Sequence, residues 1–295
     1  MTKDVLVLRG LHGIGDCFFQ RPVVYAACRR YKQVFLECAY PPAYWDLERD
    51  FDLKFLFPEH CNPDVWKGVL AFDRWSDVPR GLDYDTRHCT YMRTDLELGR
   101  TASEAMARRA LMVMEPEDWN FRVPLNPAWG EPSREKVLYV FPSTIRDAWT
   151  NYSRVPMPEY LRTLRYEAME RGIETRLVVQ RATKHETIVG TWEENLVETD
   201  APLESLITML YGGMVLCSPC FALPLSIAFG IPVFCVFGGS IPPAAILDKH
   251  MDLSGVGYAA PEPFCSCLQL QHACNKRIEK DRLVNPFLEW LSKVA

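Results

Sequence analysis

The sequence predicts an α/β protein built from two Rossmann-like, doubly wound halves. Three observations carry that reading. Short apolar runs alternate with helical stretches along the chain, the alternation stops in a proline-rich segment and then restarts, and a glycine turn follows the first apolar run. A length of 295 residues accommodates two domains of ordinary size.

In the first half, Val5 to Leu8 reads as a strand, followed by the turn His12-Gly13-Ile14-Gly15 and a helix from about Asp16 to Tyr31. Val34 to Glu37, Lys54 to Phe57 and Val69 to Phe72 are the next strands. Residues 102–114 carry helix formers without Gly or Pro and read as helix. The predicted first domain is 1–122. Residues 123–134, VPLNPAWGEPSR, hold three prolines and no periodicity, which marks a linker.

The second domain, 135–279, restarts with a strand at Val137 to Phe141 and a helix from about Met157 to Gly172. Strands at Thr175 to Val179, Val215 to Cys217 and Val233 to Phe237 alternate with helices at Leu203 to Tyr211 and near 221–229. A final helix spans about Lys280 to Val294, within 280–295. Parallel sheets with helices on both faces follow from this order.

Composition narrows the function. Hydrophobic residues make up 48% and charged residues 24%, a folded rather than a disordered balance. The net charge of −5 supplies no global positive field for nucleic acid or anionic membranes. No apolar run approaches the roughly 20 residues of a membrane span. The opening Met-Thr-Lys-Asp leads straight into the first strand rather than into a signal peptide. Eleven cysteines without that signal point to reduced thiols and a cytoplasmic location.

Four segments carry chemistry. Arg9 to Asp16 joins the first strand to the first helix, where glycines admit close approach and free N–H groups face an anion. A third fingerprint glycine would fall at Phe18, which disfavours a dinucleotide cofactor. Asp16 reads either as an N-cap or as a reactive acid. Phe141 to Arg154 follows the strand that opens the second half and offers arginines, hydroxyls and Trp149 at the ligand edge of a doubly wound sheet, or else is a solvated loop. Leu216 to Ser240 is a βαβ unit in which Ser218 and Pro219 read as a cap and first-turn proline. Cys265, Cys267, His272 and Cys274 are candidate zinc ligands, but C-x-C is tighter than the usual spacing, so reduced thiols in a surface turn is the expected reading.

In this order the segments resemble glycosyltransferase family 9, the heptosyltransferase-like proteins. Gly15-Asp16 with Pro22, Ser143-Thr144 with Arg146 and Trp149, Phe229-Gly230-Ile231-Pro232, Phe237-Gly238 and the Cys265–Cys274 segment are similar to that family's pattern. The resemblance implies the GT-B architecture, two Rossmann-like doubly wound domains facing a central cleft. It further implies inverting, metal-independent transfer of a sugar from a nucleotide-diphosphate sugar to an acceptor hydroxyl, with no cofactor. Asp16 would be the general base. Ser143, Thr144, Arg146, Trp149, Arg154, Cys220, Phe221, Gly238 and Gly239 would hold the donor and its phosphates. His12, Gly13 and Gly15 would lie on the acceptor side, together with Arg87, His88 and Arg93 from a loop within 76–104. The acceptor itself (lipid-linked glycan, small molecule, protein or modified nucleic acid) is left open.

One departure stands out. The family's Asp, Gly and His before the Gly-x-Pro stop fall here on Pro219, Phe221 and Pro224. ADP-heptose is therefore not implied as the donor. A non-catalytic sugar-nucleotide-binding or scaffold protein of the same fold, and a sugar-nucleotide epimerase, are the alternatives.

Overall fold

The computed structural model describes residues 3–11, 13–56, 81–133, 135–141, 153–179, 196–198, 202–269 and 272–295. The chain divides into two units, residues 1–126 with 244–251 and residues 127–243 with 252–295.

In the first unit, β1 (Val5–Gly10) leads into α1 (Ile14–Arg30), then β2 (Gln33–Glu37), α2 (Trp45–Asp50), β3 (Leu53–Leu56) and β4 (Tyr84–Cys89). Two further helices follow, α3 (Arg93–Glu97) and α4 (Ala102–Arg109). The sheet order is β3-β2-β1-β4, with every pair parallel. Leu6, Val7 and Leu8 are buried on both faces of β1, as a parallel strand covered by helices requires.

The second unit runs β5 (Val137–Phe141), α5 (Pro158–Met169), β6 (Glu174–Val179), β7 (Leu196–Glu198), α6 (Leu203–Leu210), β8 (Met214–Cys217), α7 (Ala222–Phe229) and β9 (Val233–Val236). After α8 (Pro243–Ile246) come β10 (Val256–Ala259) and α9 (Lys280–Val294). Its all-parallel sheet has the order β10-β9-β8-β5-β6-β7. Numbered within the unit, that is the doubly wound order 3-2-1-4-5-6, whose switch point lies between β5 and β8. Phe234 of β9 packs edge-on against Phe287 of α9 at 5.3 Å between centroids, and a β-carbon at Gly257 of β10 would come within 2.6 Å of Phe234.

Several expectations need correction. Residues 76–104 are not one loop, since β4 and α3 lie within them. The helix expected over 102–114 ends at Arg109. Leu111 takes a left-handed φ of 51°, and the Leu111 and Met112 N–H groups close back on Arg108 and Ala107 at 3.0 Å in a Schellman-type stop. Ser218 and Pro219 do not cap α7, which begins at Ala222 with Phe221 as its cap residue. Pro224 then falls in the first turn, where its missing N–H has no helical partner to lose. Residues 244–251, read as part of the second half, pack into the first unit. Thr101, the N-cap of α4, donates to the buried carboxylate of Asp248, and His250 stacks on Trp119 at 4.6 Å. The strand expected at 69–72 lies outside the described residues.

Among the described residues, no helix is long and apolar enough to cross a membrane.

Candidate functional site

Each sheet presents a carboxyl edge, and the candidate residues that the structure describes gather there. In the first unit that edge follows β1 and β4, which run in register to Gly10 and Cys89. Gly13, not Asp16, is the N-cap of α1, and it contributes no side-chain bond. Asp16 stands in the first turn of α1, partly buried, where the helix dipole favours its carboxylate. Its Oδ2 lies 2.6 Å from the point where a β-carbon on Gly13 would stand. Gly10 has an equally local reason to be glycine, because a β-carbon there would collide with the amide of Gln20. Gln20 is held in turn by its Nε2 donating to the Tyr44 hydroxyl at 2.7 Å, and that hydroxyl donates to the Cys17 carbonyl at 2.6 Å.

Arg9, next to last in β1, and Glu37, last in β2, are register partners, 5% and 3% exposed. Burial raises the Glu37 carboxyl and the Arg9 charge pulls it back, while burial lowers Arg9 against the pull of Glu37. The sequence reading missed this pair. Its signal was a charge of opposite sign at or next to the end of each of two apolar strands, VLVLRG and QVFLE.

Arg87 and His88 lie on β4 rather than in a loop. Arg87 donates to the carbonyls of Ala110 and Leu111 at 3.2 and 2.7 Å, satisfying the end of α4, and stacks over Tyr31. Arg93 opens α3 just beyond the β4 edge and pairs with Glu97 at 2.6 Å. His12 lies outside the described residues.

In the second unit the switch point brings together the end of β5, the start of α7 and the exit of β9. Ser143, Thr144, Arg146 and Trp149 lie outside the described residues. Arg154 is described, and its carbonyl accepts from the Gly238 N–H at 3.3 Å. Its charge acts on both Cys220 and Cys235. A hydrogen bond with Cys217 and burial push the Cys220 thiol up, and Arg154 opposes them. Phe221 meets Phe141 of β5 edge-on at 5.8 Å. The segment just before and within α7 therefore sits against the end of β5, as a switch-point ligand edge requires.

Gly238 and Gly239, expected to help hold the donor phosphates, lie against protein on the side where a β-carbon would stand. A β-carbon at Gly238 would stand 2.5 Å from the Val155 carbonyl oxygen, and one at Gly239 would stand 2.8 Å from the Cys274 β-carbon. These glycines serve close packing of the chain on itself. In the cysteine-rich segment Cys265, Cys267 and Cys274 are free thiols, and their sulfurs and a ring nitrogen of His272 all lie within 4.8 Å of one another.

No protein-family model and no curated protein matches the sequence. Solved structures do match. The iron-containing dodecameric glycosyltransferase TibC from enterotoxigenic E. coli is 13% identical at a TM-score of 0.63, over 99% of this chain and 76% of its own. The E. coli heptosyltransferase WaaC, solved with ADP, is 12% identical at 0.57, over 99% of this chain and 100% of its own. A family 9 glycosyltransferase from Veillonella parvula is 8% identical at 0.58, over 99% and 98%. At these identities the likeness shows the fold, which is the GT-B fold of the family 9 heptosyltransferases.

Proposed function

We propose that this chain, which has the fold of the family 9 heptosyltransferases, transfers a sugar from a nucleotide-diphosphate sugar to an acceptor hydroxyl with inversion. The observation that carries the reading is Asp16, an acid in the first turn of α1 at the carboxyl edge of the first sheet. Its carboxylate would take the acceptor proton while the acceptor oxygen attacks the anomeric carbon in line. The bond from that carbon to the diphosphate oxygen breaks, and the diphosphate leaves with the electron pair. Arg154, with Arg146, would stabilise that developing charge, together with backbone N–H groups near Cys220.

Guanidinium groups in this role replace a divalent ion, so transfer is expected without added magnesium or manganese. Because TibC is iron-containing, that expectation requires direct measurement. Activity that appears only on adding a divalent ion would assign the diphosphate to a metal instead.

WaaC was solved with ADP and TibC with ADP-D-β-D-heptose, which makes adenosine-diphosphate sugars the first donors to try. Proline at 219 and 224 and phenylalanine at 221 favour a wider panel, because none of these side chains hydrogen-bonds a sugar. The test is a thermal-shift panel of nucleotide sugars. A ligand at about 100 times its Kd stabilises the fold by about 2.7 kcal/mol. No shift with any nucleotide sugar would remove the donor side of the proposal. Binding without transfer to any acceptor would favour the non-catalytic reading, which the same three residues support.

A further inference from the structure

The segment ahead of α9 folds into a knuckle of ligand-type side chains. Cys265-Ser266-Cys267 lies beside His272-Ala273-Cys274, with Cys265 next to His272 and Cys267 next to Cys274. Cys265 Sγ stands 3.5 Å from His272 Nδ1, that nitrogen stands 3.4 Å from Cys274 Sγ, and Cys267 Sγ stands 3.6 Å from Cys274 Sγ. A tetrahedral ion with metal–sulfur bonds of about 2.3 Å and a metal–nitrogen bond of about 2.0–2.1 Å has edges of about 3.8 Å between sulfurs and about 3.5 Å from sulfur to nitrogen. All four ligand atoms lie within 4.8 Å of one another, and these three separations match those edges to about 0.2 Å. They are far from the roughly 2.05 Å of a disulfide.

We propose that Cys265, Cys267, His272 and Cys274 bind one tetrahedral divalent metal ion that locks the knuckle onto Ser153 and onto the loop leaving β9. Three thiolates and an imidazole suit zinc or ferrous iron, which share this chemistry. Four protein ligands leave no open position, so the ion is structural and takes no part in a reaction.

A second observation supports the site independently. Leu268 and Ser240 both adopt left-handed backbone, at φ of 53° and 66°, although neither is glycine. The Leu268 N–H donates to the Ser240 carbonyl at 3.2 Å, and the Ser240 N–H donates to the Cys265 carbonyl at 2.8 Å. Strained residues of this kind persist where the surroundings over-determine them, and a metal cross-link at each side of the turn does so. The knuckle is tied down elsewhere too. The buried Ser153 hydroxyl accepts from the His272 N–H at 2.6 Å and donates to the His272 carbonyl at 3.0 Å. Cys274 presses on Gly239. Ser153 and the loop leaving β9 at the switch-point edge of the second unit therefore rest on the knuckle that the proposed ion would hold.

The experiment is metal analysis of the purified, reduced 295-residue chain, followed by exchange into cobalt. The account predicts one ion per chain, identified as zinc or iron by elemental analysis. The cobalt form should show the intense visible bands of a tetrahedral site and a thiolate-to-cobalt charge-transfer band. Alkylation of Cys265, Cys267 and Cys274, mapped by mass spectrometry, should be blocked until a chelator is added. His272→Cys should retain the ion with shifted bands, and Cys274→Ser should lose it. Because the variants are not needed for the first result, a misfolded variant leaves the test intact. Metal-free protein that takes up neither zinc nor cobalt, or an octahedral cobalt spectrum, would overturn the proposal. So would a Cys267–Cys274 disulfide in freshly purified, metal-free chain.

Discussion

The Asp16 carboxylate folds back over Gly13, with Oδ2 2.6 Å from the position a β-carbon on that glycine would occupy. Gly13 has an extended backbone with φ of −65° and ψ of 142°, which any residue adopts, so its side chain is missing for space and not for conformation. The glycine clears the ground on which the acid rests.

Gly13→Ala should therefore leave the fold nearly intact and displace the acid. The clash is with the far end of a flexible side chain, so melting temperature should change little while the carboxylate swings aside. If Asp16 is the base, turnover should fall with donor affinity preserved. Steady-state kinetics beside nucleotide calorimetry separates these quantities. Unaltered turnover would show that the position of Asp16 is not critical.

Arg154→Ala should weaken nucleotide binding by roughly 1.5–3 kcal/mol, as loss of a hydrogen bond to a charged group does. The position contributes its carbonyl to Gly238 in either form, so the local backbone bond remains available. Arg146→Ala is the parallel test for the chain between β5 and Arg154. Unchanged affinity in both variants would leave the diphosphate without the proposed cations.

Arg21 lies fully buried on α1 and donates to the Arg122 carbonyl at 3.0 Å, the Ala43 carbonyl at 2.9 Å and Asp46 at 2.6 Å. Asp46→Ala strands that buried guanidinium, and breaking one side of such a pair costs about 3–5 kcal/mol. Urea denaturation measures it. A loss below about 1 kcal/mol, the range of an exposed pair, would mean that solvent reaches the site.

Asp118 is buried and accepts from Arg29 at 2.7 Å, from Arg30 at 2.5 Å and from the Glu115 N–H at 2.8 Å. Burial acts to raise its carboxyl, but the Glu115 bond and the Arg30 and Arg29 charges outweigh burial and leave it below the usual range. A depressed acid contributes stability above its unfolded pKa of about 3.9, and that contribution disappears as pH falls through the lower folded value. Melting temperature should thus drop between about pH 5 and about pH 2, with a shallower drop in Asp118→Asn. Parallel curves for the two proteins would contradict the assignment.

The sequence made β1 and α1, and β5, β6, β8 and β9 with the helices between them and α9, legible because buried parallel strands are continuous apolar runs; β7, α8 and β10, of three or four residues each, were too short to stand out. It hid β4, because Tyr84-Asp85-Thr86-Arg87-His88-Cys89 carries almost no apolar signal. Only the register with β1 makes that segment a strand. It also hid the left-handed stop at Leu111 and the return of 244–251 to the first unit, which depend on contacts distant in the chain. At the candidate site, the glycines at 10, 13, 238 and 239 stood out in the sequence. What presses on each one (Gln20, Asp16, Val155 and Cys274) belongs to tertiary structure.

The most direct test of the account is transfer by Asp16→Asn, measured with donor affinity and melting temperature. Asn is nearly isosteric and tolerated at a helix start, but it does not accept a proton near neutral pH. The account predicts unchanged melting temperature and nucleotide affinity, with turnover lowered on the order of 10² to 10⁴-fold. Turnover near that of the unsubstituted protein, with the same stability and affinity, would contradict a general-base role for Asp16.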